Sequence, residues 1–308
     1  MKYLHTTFKG QTATETLTPG SDAWARTVSA SKIPALLGLS TYDSAYSLWA
    51  RATGRLENIE RDTKATQRGN LMEATLLTYL DTELGDGHRV TAGAAYIHPD
   101  HPTWSAAPDG HVYEGRRRTP YALVECKTAR YSEEWGTEGT AEIPPGYLAQ
   151  VAWQMYVTGA RLVYVPALVA MEFRLYVVQW EDIAGDIDLI LGAVQEWQAC
   201  VDTDTAPAWD GSDATYEAVR RLHPQIDPDA EATIPCHLAD ALWAADADLK
   251  AADATLKALK SEVLDLAGNA RTILTDTGLK VGGRQARGTG TPYLTITKPK
   301  ATAPAVAA

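Results

Sequence analysis

Two short segments hold residue types that could do chemistry together. One is Ala107-Pro108-Asp109-Gly110 and the other is Glu125-Cys126-Lys127, with fifteen residues between Asp109 and Glu125. Pro-Asp-Gly is a turn signature. The second segment sits in an apolar run that predicts a strand, where residues two apart share a face. Glu125 and Lys127 then point one way, and Val124 and Cys126 point the other, into a core. Leu123 shares the face of Glu125, so that face is not simply solvent. A strand, a turn at Asp109 and a return strand bearing Glu125 bring two carboxylates together, which is costly unless a cation lies between them. Oxygen ligands favour magnesium or manganese over zinc. A lysine beside such an ion can orient or deprotonate an attacking water, and the chemistry would be phosphodiester hydrolysis. The plainer reading is a turn followed by an amphipathic strand with two exposed charges.

Other polar residues lie on apolar stripes. Glu73 falls on one helical stripe with Leu77, Leu80 and Leu84, where an unpaired carboxylate is expensive to bury. Arg68 precedes it and could pair with it or meet a phosphate. Gln150 and Gln154 lie one turn apart, with Tyr147 a turn earlier, beside Val151 and Met155. Such amides can position a water, a ligand or a phosphate, or simply face solvent. His98, His101 and His111 lie near prolines 99 and 102 in what reads as an exposed loop, not a zinc site. There is no Gly-rich phosphate loop and no nucleophile elbow.

These residues need elements to hold them. The pattern predicts a helix from Ser29-Ala-Ser31 to Gly38, a second one capped by Asp43 and ending at Gly54, and a long one over 63–84. Strands are expected near 88–98, 103–108 and 120–128. A helix follows over 144–158, opened by Pro144-Pro145 and closed at Gly159. Two β-branched runs, 161–169 and 172–180, precede a helix over 182–200. Alternating helices and strands predict an α/β domain with a central mixed sheet over 21–205. Residues 1–20 read as a flexible N-terminus, and 206–235 as an acidic, Pro-containing linker. In 236–300, Leu242, Leu249, Leu256 and Val263 fall seven apart, with Ala245, Ala252, Leu259 and Leu266 in the second seam position. Thr272–Thr275 and Tyr293–Thr297 are expected to pair as a basic hairpin, and 301–308 as a disordered tail.

The 308 residues carry a net charge of −11. Segment 181–235 holds thirteen Asp or Glu against two Arg, so the rest is neutral, and 268–300 holds six Lys or Arg against Asp276 alone. Local basic surface for DNA is therefore allowed. No apolar stretch reaches the roughly 18 residues of a membrane helix. Three scattered cysteines predict a reduced, cytoplasmic chain.

The order of these segments resembles the phage-type alkaline exonucleases and YqaJ-like viral recombinase nucleases (the lambda exonuclease-like group) of the PD-(D/E)xK superfamily. The resemblance covers roughly residues 20–200. It rests on Asp22-Ala-Trp24 with Arg26 and Ser29-Ala-Ser31; Arg68-Gly69 with Glu73; Pro108-Asp109-Gly110; Glu125-Cys126-Lys127; and Tyr147 through Gln150 and Gln154 to Met155. It implies a restriction-endonuclease-like core with a helical and small β appendage. Asp109, Glu125, Glu73 and the Cys126 carbonyl would hold Mg2+ or Mn2+. Lys127 and Gln150 would serve catalysis with Asp109 and Glu125. Arg26, Ser31, Arg68 and Gln154 would meet DNA or its 5′-phosphate; Ala107 stands where the family has a helping serine. The implied activity is metal-dependent exonucleolytic digestion of duplex DNA from an end, 5′→3′, leaving 3′ single strands for recombination. The implied partners are duplex ends, a single-strand annealing protein and further copies in a ring, in a bacterial cell or phage-infected host. Alternatives are a structure-selective endonuclease of the same superfamily and a non-catalytic DNA-end or partner-binding module.

Overall fold

A computed structural model describes residues 11–12, 17, 20–58 and 63–297. The chain opens with β1 (Gln11–Thr12), α1 (Asp22–Arg26), β2 (Val28–Ser29), a 3-10 turn over Ala30–Lys32, α2 (Ile33–Leu36), α3 (Ala45–Ala52) and α4 (Lys64–Leu84). Then come β3 (His88–Ala92), β4 (Tyr96–His98), β5 (His101–Ala106), β6 (Gly110–Glu114), β7 (Ala122–Val124) and β8 (Lys127–Ala129). The rest of the first unit is α5 (Pro145–Thr158), β9 (Leu162–Val169), β10 (Glu172–Gln179), α6 (Trp180–Ile183), α7 (Ile187–Asp202) and α8 (Asp213–Leu222). A second compact unit begins at Asp227 and contains α9 (Cys236–Ala267), β11 (Thr272–Leu274), β12 (Lys280–Gln285) and β13 (Tyr293–Ile296).

The fold is mixed α/β, with a central mixed sheet flanked by helices. Its strands run β10-β9-β7-β6-β3, with β8 continuing the line of β7 along β9. The β9–β7 pair is parallel and the others on that path are antiparallel. Leu76 and Leu80 on α4 are buried, and Leu80 packs with Val112, Val124 and Tyr164 on one face of the sheet. Leu123, Val163 and Val165 belong to the larger core with α5, which is apolar nearly all round. A helix with that composition has to lie between layers. A smaller sheet, β1-β4-β5-β2, joins the α5 side, where the Trp153 indole donates to the Ser105 carbonyl at 2.9 Å.

Several boundaries differ from those expected. Thr63 caps α4 as anticipated by its position, but Ser44, not Asp43, caps α3 through a reciprocal bond with Ser47. Asp43 instead pairs with Arg51. The run 88–98 divides into two strands of different sheets at Gly93. The 182–200 helix is two helices, α6 and α7. The expected linker contains α8, whose Thr215 and Ala218 are buried; the Thr215 hydroxyl donates to Ser44 Oγ at 2.7 Å. Asp and Pro at its flanks concealed a helix with one apolar face. The C-terminal hairpin is a three-stranded sheet, because β12 lies between the two expected strands. Its Gly282-Gly283 pair argues against a strand by propensity, yet a Cβ at Gly282 would stand 2.1 Å from the Thr295 carbonyl oxygen. The expectation of a flexible N-terminus holds no strand at 11–12, where β1 in fact pairs with β4; most of 1–20 and the whole tail 301–308 lie outside the described residues.

One glycine bears directly on the position of Asp109. The Gly93 N–H donates to the Asp109 carbonyl at 2.8 Å, and a Cβ at Gly93 would lie 1.8 Å from the Pro108 carbonyl oxygen. Both neighbours are backbone and cannot rotate away. Gly93→Ala is expected to cost about 3 kcal/mol in urea melts and, by displacing the Pro108-Asp109 turn, to lower activity of the residual folded protein as well. An unchanged melt would show that the turn is free to move.

Candidate active site

Glu125 is the centre of the site, only 2 % exposed. Its Oε1 accepts from Lys127 Nζ at 2.5 Å and from Gln150 Nε2 at 2.5 Å, and its Oε2 accepts from Gln154 Nε2 at 2.7 Å. Gln150 Oε1 in turn accepts from Lys127 Nζ at 3.0 Å, closing a three-membered network. The period of two along 123–127 and the one-turn spacing on α5 make this possible. Leu123, Glu125 and Lys127 all face α5, with Leu123 in the core and the two charges near its end.

The expected strand 120–128 is interrupted at Glu125 and Cys126, and β9 supplies a reason. Leu123 and Val124 sit beside Val163 and Tyr164, and Lys127 beside Ala167, so the register is the same on both sides of the gap. The Glu125 N–H reaches the Tyr164 carbonyl at 3.0 Å. The next donor on that side of β9 would be residue 166, which is proline and has no N–H. On the opposite side the Cys126 N–H leaves the sheet pattern and donates to Asp109 Oδ2 at 2.7 Å. Asp109 thus substitutes for a sheet partner just before β6 begins. In extended backbone a residue's N–H and C=O leave on one side, so the Cys126 carbonyl also lies on the Asp109 side.

The electrostatics favour an added positive charge. Burial, then the Glu125 charge, push the Asp109 carboxyl up to about 8, against the partial relief given by Lys127 and the Cys126 N–H. For Lys127, desolvation alone would lower the ammonium pKa, but Glu125 and Asp109 outweigh it and hold it raised. The Tyr147 ring lies 4.9 Å from Lys127 Nζ, a favourable cation–π contact. Burial pushes the Cys126 thiol up, so its side chain is inert and faces α4, with Sγ 3.9 Å from the Glu73 carbonyl. The donor set offered by Asp109, Glu125 and the Cys126 carbonyl is all oxygen. Those residues fit a hard divalent cation.

The structure brings together Asp109, Glu125, Cys126, Lys127 and Gln150, and departs from the sequence expectation at two residues. Among the described residues no three His, Cys, Asp or Glu side chains form a ready metal-holding cluster. Glu73 adds to the negative field at Asp109, but its half-exposed side chain does not close with the other two carboxylates, which mutual repulsion disfavours. Gln154 is wholly buried and donates to Glu125, so it orients that carboxylate instead of reaching DNA.

The expected DNA-contacting residues Arg26, Ser31 and Arg68 are all exposed. Arg68 Nε donates at 3.3 Å to Oγ1 of Thr128, the residue after Lys127 in β8. Arg26 Nε donates to the Ala52 carbonyl at 3.2 Å, and Ser31 Oγ lies 3.1 Å from Ser29 Oγ. β2 runs parallel to β5, Ser29 beside Ser105, so this segment sits at the strand that leads into Ala107-Pro108-Asp109. Sequence reasoning overlooked Lys32. Its buried Nζ donates to the carbonyls of Trp24, Ala25 and Thr27 at 2.6–2.8 Å and closes the end of α1 around Arg26. Burial first and Arg51 second lower this amine to about 7, while three acceptors at hydrogen-bond distance call for all three ammonium protons.

Residues 22–161 match the family described as the YqaJ-like viral recombinase domain. The matched span includes Asp109, Glu125, Lys127 and Gln150. The YqaJ protein of Bacillus subtilis (strain 168) is 29% identical over 199 residues, which is 62% of this chain and 59% of the relative, so the chain spans less than two thirds of that protein's length. Among solved structures the chain is similar to the alkaline exonuclease LHK-Exo of Laribacter hongkongensis, at 18% identity and a TM-score of 0.43, covering 66% of this chain and 99% of that one. It is similar also to LHK-Exo in complex with dAMP, at 20% identity and a TM-score of 0.43, covering 59% and 93%.

Proposed function

We propose that this chain, with a YqaJ-like viral recombinase domain over residues 22–161, is a magnesium- or manganese-dependent deoxyribonuclease that degrades one strand of duplex DNA from an end. The observation that carries this reading is the break in the central sheet. There Asp109 accepts from the Cys126 backbone N–H beside the buried network of Glu125, Lys127 and Gln150, and the Glu125 charge adds to burial in raising the Asp109 carboxyl, so an added cation would be favoured.

Asp109, Glu125 and the Cys126 carbonyl would hold the metal, which when bound supplies Lewis acidity and lowers the pKa of water. Lys127 keeps its proton, so its task is to orient the attacking water and to stabilise negative charge growing on the phosphoryl oxygens. Gln150 fixes the Lys127 ammonium and Glu125 together, and Gln154 fixes the second oxygen of Glu125. Arg68 and the Arg26–Ser31 segment would meet backbone phosphates, which position a strand without reading its sequence. The reading extends to 5′→3′ polarity, 3′ single-stranded products, an annealing partner and a ring of subunits.

End-labelled linear duplexes, with and without a 5′-phosphate, test it beside covalently closed circles. Magnesium-dependent release of mononucleotides from the 5′ end, with circles left intact, is expected. Cleavage of closed circles would replace the reading with an endonuclease, and binding without cleavage would replace it with a DNA-end-binding module.

A further inference from the structure

The second unit carries an apolar stripe on its long helix that the described residues of that unit leave uncovered. Along the 32 residues of α9, Leu242, Leu249, Leu256, Leu259 and Leu266 are 41–80 % exposed, and no residue of the helix is buried. These leucines, with Ala245, Ala252 and Val263, make up the two positions of a heptad seam. Such a seam needs a second helix.

The volumes along the seam select the orientation of that helix. In a parallel pair each layer sets a residue against its own copy, so Ala245 and Ala252 would each face alanine and leave gaps beside the Leu–Leu layers. In an antiparallel pair the two seam positions face each other. The one register that uses all eight residues sets Leu242 against Leu266, Ala245 against Val263, Leu249 against Leu259, and Ala252 against Leu256. Every alanine then meets a larger side chain, which close packing demands. One flank of this register brings Asp246 beside Lys260 of the second copy, twice by symmetry, and Asp253 beside its own copy on the two-fold axis. The other flank sets Asp248 near Glu262, so the apolar layers dominate over charge. Covering both stripes removes on the order of 1,000 Å² of surface, the size at which specific interfaces begin.

We infer that α9 pairs antiparallel with α9 of a second copy of this chain, through the eight-residue seam from Leu242 to Leu266. Lys250 and Lys257 lie outside the seam, each bonded within its own helix to Asp246 and Asp253 at 2.6 Å.

The test uses the full chain with Cys236, an exposed native thiol, replaced by Ser. Oxidation of an equimolar mixture of the Ala252→Cys and Leu256→Cys chains should give a disulfide-linked pair, and neither chain alone should. The mass measured by light scattering should halve on Leu249→Lys, with the circular dichroism of the main domain unchanged, because this side chain supports no core. Cross-linking of Ala252→Cys alone would establish a parallel pair and overturn the inference. A mass unaffected by Leu249→Lys, together with no cross-link in the mixture, would overturn it too, and would mean that α9 is covered by its own chain or by a different partner.

Discussion

Asp109→Asn should abolish metal-dependent cleavage while making the metal-free protein more stable. The two effects have one cause. In the folded protein, burial and then Glu125 hold the Asp109 carboxyl up to about 8, against an ordinary value of 3.8. Between those values the native state binds more protons than the unfolded chain, so the metal-free wild type loses stability as pH rises from about 4 toward 8. Asparagine does not titrate, and its amide oxygen can still accept the Cys126 N–H that Asp109 Oδ2 now accepts at 2.7 Å. The metal-free variant is therefore expected to be more stable at pH 8, by at most about 5 kcal/mol, with a higher Tm and a flatter pH profile. Magnesium should reverse the order, because it stabilises only the chain that binds it. Thermal melts over about pH 5–9, with magnesium and with chelator, measure both signs. A variant that is less stable at every pH and still responds to magnesium would show that Asp109 is an ordinary turn residue.

Lys127→Met should lose activity and stability together. Methionine keeps most of the stem that packs near Tyr147 but removes the ammonium from beside Glu125, whose side chain is 3 % exposed. Taking one partner from a buried ion pair costs about 3–5 kcal/mol, because the other charge remains uncompensated. In the proposed role Lys127 orients water and steadies the phosphoryl charge, and losing it should then lower kcat by roughly 10²–10⁴. The double variant Lys127→Met with Glu125→Gln separates the two roles. A neutral amide at 125 needs no ammonium, so most of the stability should return while activity stays absent. Urea melts and single-turnover cleavage across the four proteins form a double-mutant cycle. Simple additivity of the stability effects would contradict a coupled pair.

Much of the site was legible because its residue types are costly where they stand. A carboxylate on an apolar stripe, an acid and a lysine two apart in a strand, and two glutamines one turn apart all demand partners, and for Glu125, Lys127, Gln150 and Gln154 those partners are one another. The residues that sequence alone did not resolve depend on neighbours distant along the chain. Pro166 interrupts the ladder beside Glu125 only because β9 lies alongside in that register. Gln154 reads as a surface residue until α5 is placed between layers, and then it can only serve Glu125. Lys32 looks like a solvated side chain, yet three carbonyls at the end of α1 enclose it. In the fold, α8 was concealed by the Asp and Pro around it, and β12 by a glycine pair that is there because the Thr295 backbone passes close by.

The Asp109–Glu125–Lys127 network is proposed as a metal-dependent nuclease centre, and one assay tests that directly. The direct measurement is release of acid-soluble nucleotides from linear duplex DNA by the purified chain and by Asp109→Asn, each with magnesium and with chelator. Release is expected from the wild type with magnesium and from none of the other three reactions. Equal release with chelator, or by the folded Asp109→Asn protein with magnesium, would contradict it.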